Sequence, residues 1–150
     1  MLGGQMTNNA AHTGRRKRAR IVLVVEDDAD CRENICNTLK DGGYAALEAV
    51  DGADALRLLL ADDTPEPMAI VLDLGLPIMS GPELLKVLKS YYRLSRIPVI
   101  LTSGGPRYVG DIAANAAWLP KPFDDENLLA LVNERCGALE PPSESGGLSG

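Results

Sequence analysis

The chain has 150 residues, of which 45% are hydrophobic and 24% charged, a balance typical of a single globular domain with its own core. The net charge is −6, and it is unevenly distributed, because five of the 15 basic residues lie within residues 1–20, which contain no acidic residue. The rest of the chain is therefore strongly acidic. It is not expected to bind nucleic acid across a broad surface. No apolar run approaches the roughly 20 residues that span a bilayer, which predicts a cytoplasmic protein with no membrane contact.

Along the chain, apolar runs that predict strands alternate with segments that predict helices. The basic residues 1–18 and the Pro/Ser/Gly-rich residues 138–150 are predicted to be disordered, which places the folded domain at residues 19–137. Strands buried on both faces are predicted at 21–25, 69–74 and 98–103, and weaker strands at 44–50 and 117–121. Because Pro120 has no backbone N–H to donate, the last strand is predicted to lie at a sheet edge.

Between these strands, apolar residues recur at helical spacing. Helices are predicted at 30–41, 53–61, 82–91 and 125–136, with a short one near 108–116. Five alternating strand and helix units predict a doubly wound α/β fold, in which helices cover both faces of a parallel sheet.

Polar side chains stand where the strongest strands end. In chain order they are Glu26, Asp27, Asp28, Asp73, Thr102, Ser103 and Lys121. Because the carboxyl ends of parallel strands form the site of an open sheet, we expect these side chains to lie together. Converging carboxylates repel one another, and Mg²⁺ prefers such oxygen ligands. A lysine and a hydroxyl beside the metal would complete a cradle for a phosphoryl group.

Each of these residues also has a simpler interpretation. Asp28 or Asp30 could cap the first helix, and for Asp28 this is the preferred interpretation. Asp73 could be a loop residue, although a carboxylate without partners at the end of a buried run would be costly. Lys121 alone would ordinarily be a solvated lysine.

Histidine and cysteine usage narrows the chemistry further. The single histidine, His12, lies in the predicted disordered arm, which excludes a His-based zinc site and argues against a Ser–His or Cys–His catalytic pair. The three cysteines form no C-x-x-C motif and are predicted to be buried or half-buried thiols.

Four motifs at these strand ends resemble a known family. VVEDD (24–28), LDLGLPIMSG (72–81), LTS (101–103) and LPKPF (119–123) are similar to the receiver domain of two-component response regulators, over roughly residues 19–137. The resemblance implies a flavodoxin-like five-stranded sheet with strand order 2-1-3-4-5. It also implies a stand-alone phosphoacceptor signalling domain rather than an enzyme, one that promotes its own Mg²⁺-dependent phosphorylation and dephosphorylation.

The resemblance also implies roles for single residues. Asp73 matches the phosphoacceptor and a metal ligand, Asp27 a direct Mg²⁺ ligand, Glu26 a ligand through water, and Gly75 the position whose carbonyl binds the metal. Thr102 matches the switch hydroxyl, Lys121 the phosphate-binding lysine and Trp118 the aromatic switch residue, and the Lys121–Pro122 peptide is expected to be cis.

The implied partners are a sensor histidine kinase or a histidine phosphotransfer protein, and a downstream protein that the sequence does not identify. Homodimerisation is left open. The alternative is a receiver-like docking module whose phosphorylation is not the operative signal. A small aspartyl-phosphate phosphatase would want a second aspartate two positions after Asp73, where Gly75 stands.

Overall fold

The computed structural model describes residues 20–105 and 116–137. In this part of the chain five strands form one parallel sheet in the order β2-β1-β3-β4-β5. The strands are β1 (Ile21–Val25), β2 (Ala45–Ala49), β3 (Ala69–Asp73), β4 (Val99–Ser103) and β5 (Ala117–Pro120). The helices are α1 (Ala29–Asp41), α2 (Gly52–Leu60), α3 (Gly81–Ser90) and α4 (Asp125–Arg135), with a 3-10 turn at Leu94–Arg96.

The predicted doubly wound fold and its strand order are confirmed. Every predicted strand, and each of the four longer predicted helices, is present with ends within one residue of those expected. β5 lies at the sheet edge, as the missing N–H of Pro120 predicts. The 3-10 turn was not predicted. Both predicted disordered ends, and nearly all of the short helix expected near 108–116, lie outside the described residues.

Side-chain caps begin three of the helices immediately after loops that leave the sheet. The Asp28 carboxylate accepts a hydrogen bond from the Cys31 N–H at 3.0 Å, which confirms the predicted capping role. Asp51 caps α2 in the same way. Ser80 and Glu83 form a reciprocal capping box at the start of α3. These caps place the helix N-termini close to the carboxyl edge of the sheet.

Two apolar layers hold the sheet, one on each face. Alternate residues of the central strands point to opposite faces, as period-two geometry requires. Leu23, Ile70 and Leu72 pack with α2 and α3, whereas the intervening strand residues pack with α1 and α4. Because the core takes up both faces, the polar side chains of the central strands are confined to the strand ends.

The three cysteines lie in or against the core layer that α1 and α4 cover. Cys36 is buried and Cys31 and Cys136 are half-buried, all as free thiols, which confirms the prediction. Across residues 20–105 and 116–137, none of the helices is long and apolar enough to cross a membrane.

Candidate functional site

Hydrogen bonds of the sheet ladder continue past the strand ends and set the backbone of the site. The Glu26 N–H donates to the Ala49 carbonyl at 3.1 Å, and the Lys121 N–H donates to the Ser103 carbonyl at 2.8 Å. Asp73 and Thr102 occupy paired positions of neighbouring strands. The structure therefore brings the predicted strand-end residues together along one edge of the sheet.

Three carboxylates converge at this edge. Ligand oxygens of Glu26, Asp27 and Asp73 all lie within 4.8 Å of one another. Glu26 and Asp73 are only 2% and 7% exposed, whereas Asp27 is exposed. Hard oxygen donors that are open to solvent on one side suit a cation such as Mg²⁺, which keeps several waters. These three residues could therefore hold a metal ion.

The ammonium group of Lys121 faces this cluster. Its Nζ lies 2.8 Å from Glu26 Oε1 and 3.5 Å from Asp73 Oδ1. Burial alone would lower the pKa of Lys121, but its hydrogen bond to Glu26 and the charges of Asp73 and Glu26 more than offset burial and raise that pKa. The lysine is therefore an ammonium group across the neutral pH range. Its peptide bond to Pro122 is cis, as the resemblance implies.

Asp73 is less easily ionised than an exposed aspartate. Burial raises its pKa first, and the negative charge of Glu26 raises it further, while Lys121 and a hydrogen bond from the Gly75 N–H act in the opposite direction. Gly75 leaves room beside the carboxylate, since a Cβ built there would lie 4.0 Å from Asp73 Oδ2. Positive charge added near this buried carboxylate would therefore stabilise its ionised form.

The sequence did not indicate the groups that hold Glu26. Its Oε2 accepts from the Asp28 N–H at 3.2 Å, and its Oε1 accepts from the Cys31 thiol at 3.5 Å as well as from Lys121. Burial and the charge of Glu26 raise the pKa of Cys31 to about 11, so the thiol is a neutral donor. The one feature of the sequence that could have indicated the contact between Cys31 and Glu26 is the position of Cys31, in the first turn of the helix that follows the acidic loop.

The two predicted switch residues lie on adjacent strands. Thr102 is fully buried, and its Oγ1 has no hydrogen-bond partner among the residues that the structure describes. Trp118 is half-buried and packs against the core layer under α2 and α3. A buried hydroxyl without a hydrogen-bond partner lowers the stability of the folded protein. A hydrogen bond from Thr102 to an acceptor that reaches the site would remove this cost.

Comparison with known proteins places the chain in a family. Residues 22–133 match the response regulator receiver domain. The phosphate regulon transcriptional regulatory protein PhoB of Klebsiella pneumoniae is 35% identical over 127 residues, which cover 82% of this chain and 54% of that protein. The response regulator MprA of Mycolicibacterium vanbaalenii is 33% identical over 129 residues, covering 83% and 54%. The chain thus spans about half the length of these curated relatives.

Solved structures agree with the family match. The chemotaxis protein CheY4 of Vibrio cholerae superposes with a TM-score of 0.70 at 26% identity, covering 78% of this chain and 98% of that one. The receiver domain of the Francisella response regulator 1452 gives 0.68 at 29% identity, covering 79% and 97%. Together with the motifs and the geometry at the sheet edge, these matches show that the chain belongs to the response regulator receiver domains of two-component signal transduction.

Proposed function

We propose that Asp73 accepts a phosphoryl group from a phosphohistidine of a sensor histidine kinase or a histidine phosphotransfer protein. The phosphorylated form then presents an altered surface around Thr102 and Trp118 to a downstream partner. The observation that carries this proposal is the placement of a buried carboxylate beside the Lys121 ammonium, at the edge where Glu26 and Asp27 also converge.

The chemistry is a direct transfer between nucleophiles. An Asp73 oxygen attacks the phosphorus atom, the new O–P bond forms, and the N–P bond of the phosphohistidine breaks with its electron pair left on the imidazole nitrogen. An ordinary aspartate is ionised at neutral pH and needs no general base. Burial and the charge of Glu26 raise the pKa of Asp73, and nearby positive charge lowers that pKa and so favours the reactive, ionised form.

Charge is the main obstacle, because an anion must attack an anionic group. The Lys121 ammonium, within 3.5 Å of Asp73, supplies one positive charge. Glu26, Asp27 and Asp73, with the Gly75 carbonyl that the family resemblance assigns, would hold Mg²⁺, which supplies further charge to the transferring phosphoryl group. Lys121 and the acidic residues thus have complementary tasks: Lys121 binds the phosphoryl oxygens, and the carboxylates hold the metal.

The proposed switch follows from the added charge. Phosphorylation contributes roughly −1.5 to −2 charges and new acceptor oxygens. Thr102 Oγ1 is buried and has no partner within the described part of the chain, so donating to one of these oxygens would relieve its cost. Movement of Thr102 in β4 alters the packing of the adjacent β5, which carries Trp118. A local charge is thereby converted into a change of surface.

A surface groove borders the site at Lys121. It has a volume of about 790 Å³ and lies between α1 and the segment that follows β5, with Cys31, Thr38, Lys121 and Phe123 in its lining. Because Asp73 is almost fully buried, a phosphohistidine must approach closely to reach it. We infer that the partner docks in this groove, beside α1.

The direct test is phosphorylation in solution. Purified protein is incubated with Mg²⁺ and acetyl phosphate, and its intact mass is followed together with that of Asp73→Asn and of Asp62→Asn, an exposed turn residue. We expect one added phosphoryl group in the wild type and in Asp62→Asn, and none in Asp73→Asn. Equal incorporation in all three proteins would refute the proposal. Incorporation in the wild type that leaves the fluorescence of Trp118 unchanged would favour the docking-module alternative.

A further inference from the structure

We propose that Arg32 is a positioning residue for the candidate metal site, because its guanidinium orients the peptide group that joins Glu26 to Asp27. This inference rests on the proposed function, in which those two residues hold Mg²⁺. The Arg32 side chain bonds to the Glu26 carbonyl and to Glu48, and the role inferred for it requires no contact with the metal. Its role is to hold the backbone from which two of the three carboxylates extend.

The contacts of Arg32 link three elements of the fold. The residue lies in the first half of α1, and its Nη1 donates to the Glu26 carbonyl at 2.9 Å. Its Nε donates to Glu48 Oε1 in β2 at 3.0 Å. The Arg32 side chain is 17% exposed and its bond to the Glu26 carbonyl is partly buried, so water competes with that bond only weakly, whereas the Glu48 side chain is 53% exposed. The planar guanidinium makes both contacts through two nitrogens held in a fixed geometry, which the compact ammonium group of a lysine does not reproduce.

The Glu26 carbonyl lies in the backbone between two of the three carboxylate residues. Glu26 lies one residue beyond β1, where its N–H still donates to the Ala49 carbonyl of β2 at 3.1 Å. The Glu26 carbonyl and the Asp27 nitrogen belong to one planar peptide group. The contact with Arg32 therefore sets the tilt of that plane, and the tilt decides the direction in which the Asp27 side chain leaves the chain.

Two physical effects of Arg32 on a metal ion have opposite signs. As a cation near the acidic cluster, Arg32 disfavours Mg²⁺, so its removal would tighten binding if charge were all that mattered. As a positioning residue it pre-orients two ligands, so its removal would weaken binding. The direction of the change in affinity separates the two roles without any knowledge of activity.

The experiment measures Mg²⁺ binding by titration calorimetry, with Trp118 fluorescence as a second readout. The variants are Arg32→Met, Arg32→Lys and Glu48→Gln, which keeps a neutral acceptor for Nε. A matched control is Ile35→Val, which weakens packing of α1 in the core without touching the loop. We expect Arg32→Met and Arg32→Lys to lose about tenfold in affinity. Glu48→Gln should lose far less, and Ile35→Val should bind as the wild type does.

Each outcome bears on the inference. Tighter Mg²⁺ binding by Arg32→Met, or full affinity in Arg32→Lys, would overturn it, since charge alone would then account for the effect of Arg32. Unchanged binding by Arg32→Met would also overturn it, since a positioning residue cannot be removed without loss. An equal loss in Ile35→Val would also overturn it, because general destabilisation would be the cause. If Arg32→Met does not fold, Arg32→Lys decides. If the wild type fails to bind Mg²⁺, the proposed metal site falls as well, which distinguishes the two failures.

Discussion

Lys121 is shared unequally between two buried carboxylates, since its Nζ lies 2.8 Å from Glu26 Oε1 and 3.5 Å from Asp73 Oδ1. The shorter contact is to a proposed metal ligand and the longer one is to the proposed phosphoacceptor. The lysine therefore neutralises part of the acidic cluster in the metal-free protein, and it competes with a cation for Glu26.

Replacing Lys121 by methionine should have opposite effects on stability and on metal affinity. Without the ammonium, Glu26 and Asp73 are left as buried charges, and the free energy of unfolding of the metal-free protein should fall by about 1–3 kcal/mol. Mg²⁺ should bind more tightly, because a competing cation is gone. Thermal unfolding with and without Mg²⁺ measures both, with the exposed Lys89→Met as control. Unaltered stability together with weaker Mg²⁺ binding would contradict the shared-lysine arrangement.

Asp73→Asn should stabilise the metal-free protein at neutral pH. The folded pKa of Asp73 lies above the ordinary value of 3.8, so the unfolded chain releases this proton first, and the stability of the wild type falls as pH rises from 3.8 through the folded pKa. The gain in Asp73→Asn should be complete above that window and vanish below it. Denaturant unfolding across this pH range checks the effect.

The same variant should lose the stabilisation that Mg²⁺ gives to the wild type, because it lacks one of the three converging carboxylates. Asp62→Asn, which alters an exposed turn, serves as the control and should change neither property. A loss of stability in Asp73→Asn at neutral pH would contradict the cost assigned to the buried charge.

Gly81→Ala should disturb the backbone of Asp73. A Cβ at Gly81 would lie 2.8 Å from the Asp73 carbonyl oxygen and 2.8 Å from Leu74 Cα, so the backbone must shift. Overpacking of this kind costs about 1–3 kcal/mol. A displacement near 1 Å at the nucleophile can slow a reaction about 100-fold. Unfolding measurements and the rate of phosphorylation by acetyl phosphate test this.

The control for the stability of Gly81→Ala is Gly104→Ala, where a Cβ would have nothing within 4 Å. Its free energy of unfolding should match that of the wild type. If the two alanine variants proved equally stable, the close contact at Gly81 would not constrain Asp73.

Ile78→Asn should stabilise the protein. Ile78 has φ of 61°, a left-handed conformation that is unfavourable for a β-branched residue, and its side chain is 80% exposed. Asparagine tolerates this conformation, so the free energy of unfolding should rise by about 1 kcal/mol. Val50→Asn is the matched control, because Val50 is also exposed and β-branched but has no positive φ. A gain of the same size at Val50 would point to side-chain polarity instead of backbone relief.

Much of the fold could be predicted because its strongest signals are local. Five-residue apolar runs such as Ile21–Val25 are recognisable as strands buried on both faces, and capping residues such as Asp28 mark where helices begin. The order of strands in the sheet came from the family resemblance, since apolar runs do not specify their neighbours. The turn at Leu94–Arg96 was missed because three residues carry no usable periodicity.

The sequence was sufficient to predict which residues form the site, but not which atoms of these residues contact one another. Strand ends identified Glu26, Asp27 and Asp73, and the structure brings them together. The preference of Lys121 for Glu26 depends on side-chain reach and on a difference of less than 1 Å. The contacts of Cys31 and Arg32 with Glu26 depend on the rotation of α1 about its axis, which only tertiary packing determines.

In the proposed mechanism, phosphorylation of Asp73 is coupled to the face that carries Trp118, the only tryptophan in the chain. Trp118 fluorescence should be recorded on addition of Mg²⁺ and then of beryllofluoride, which stands in for the phosphoryl group, in the wild type and in Asp73→Asn. We predict a response to Mg²⁺ and a further change with beryllofluoride in the wild type, with the beryllofluoride change absent in Asp73→Asn. An identical beryllofluoride response in both proteins, or no response to either addition in the wild type, would contradict the account.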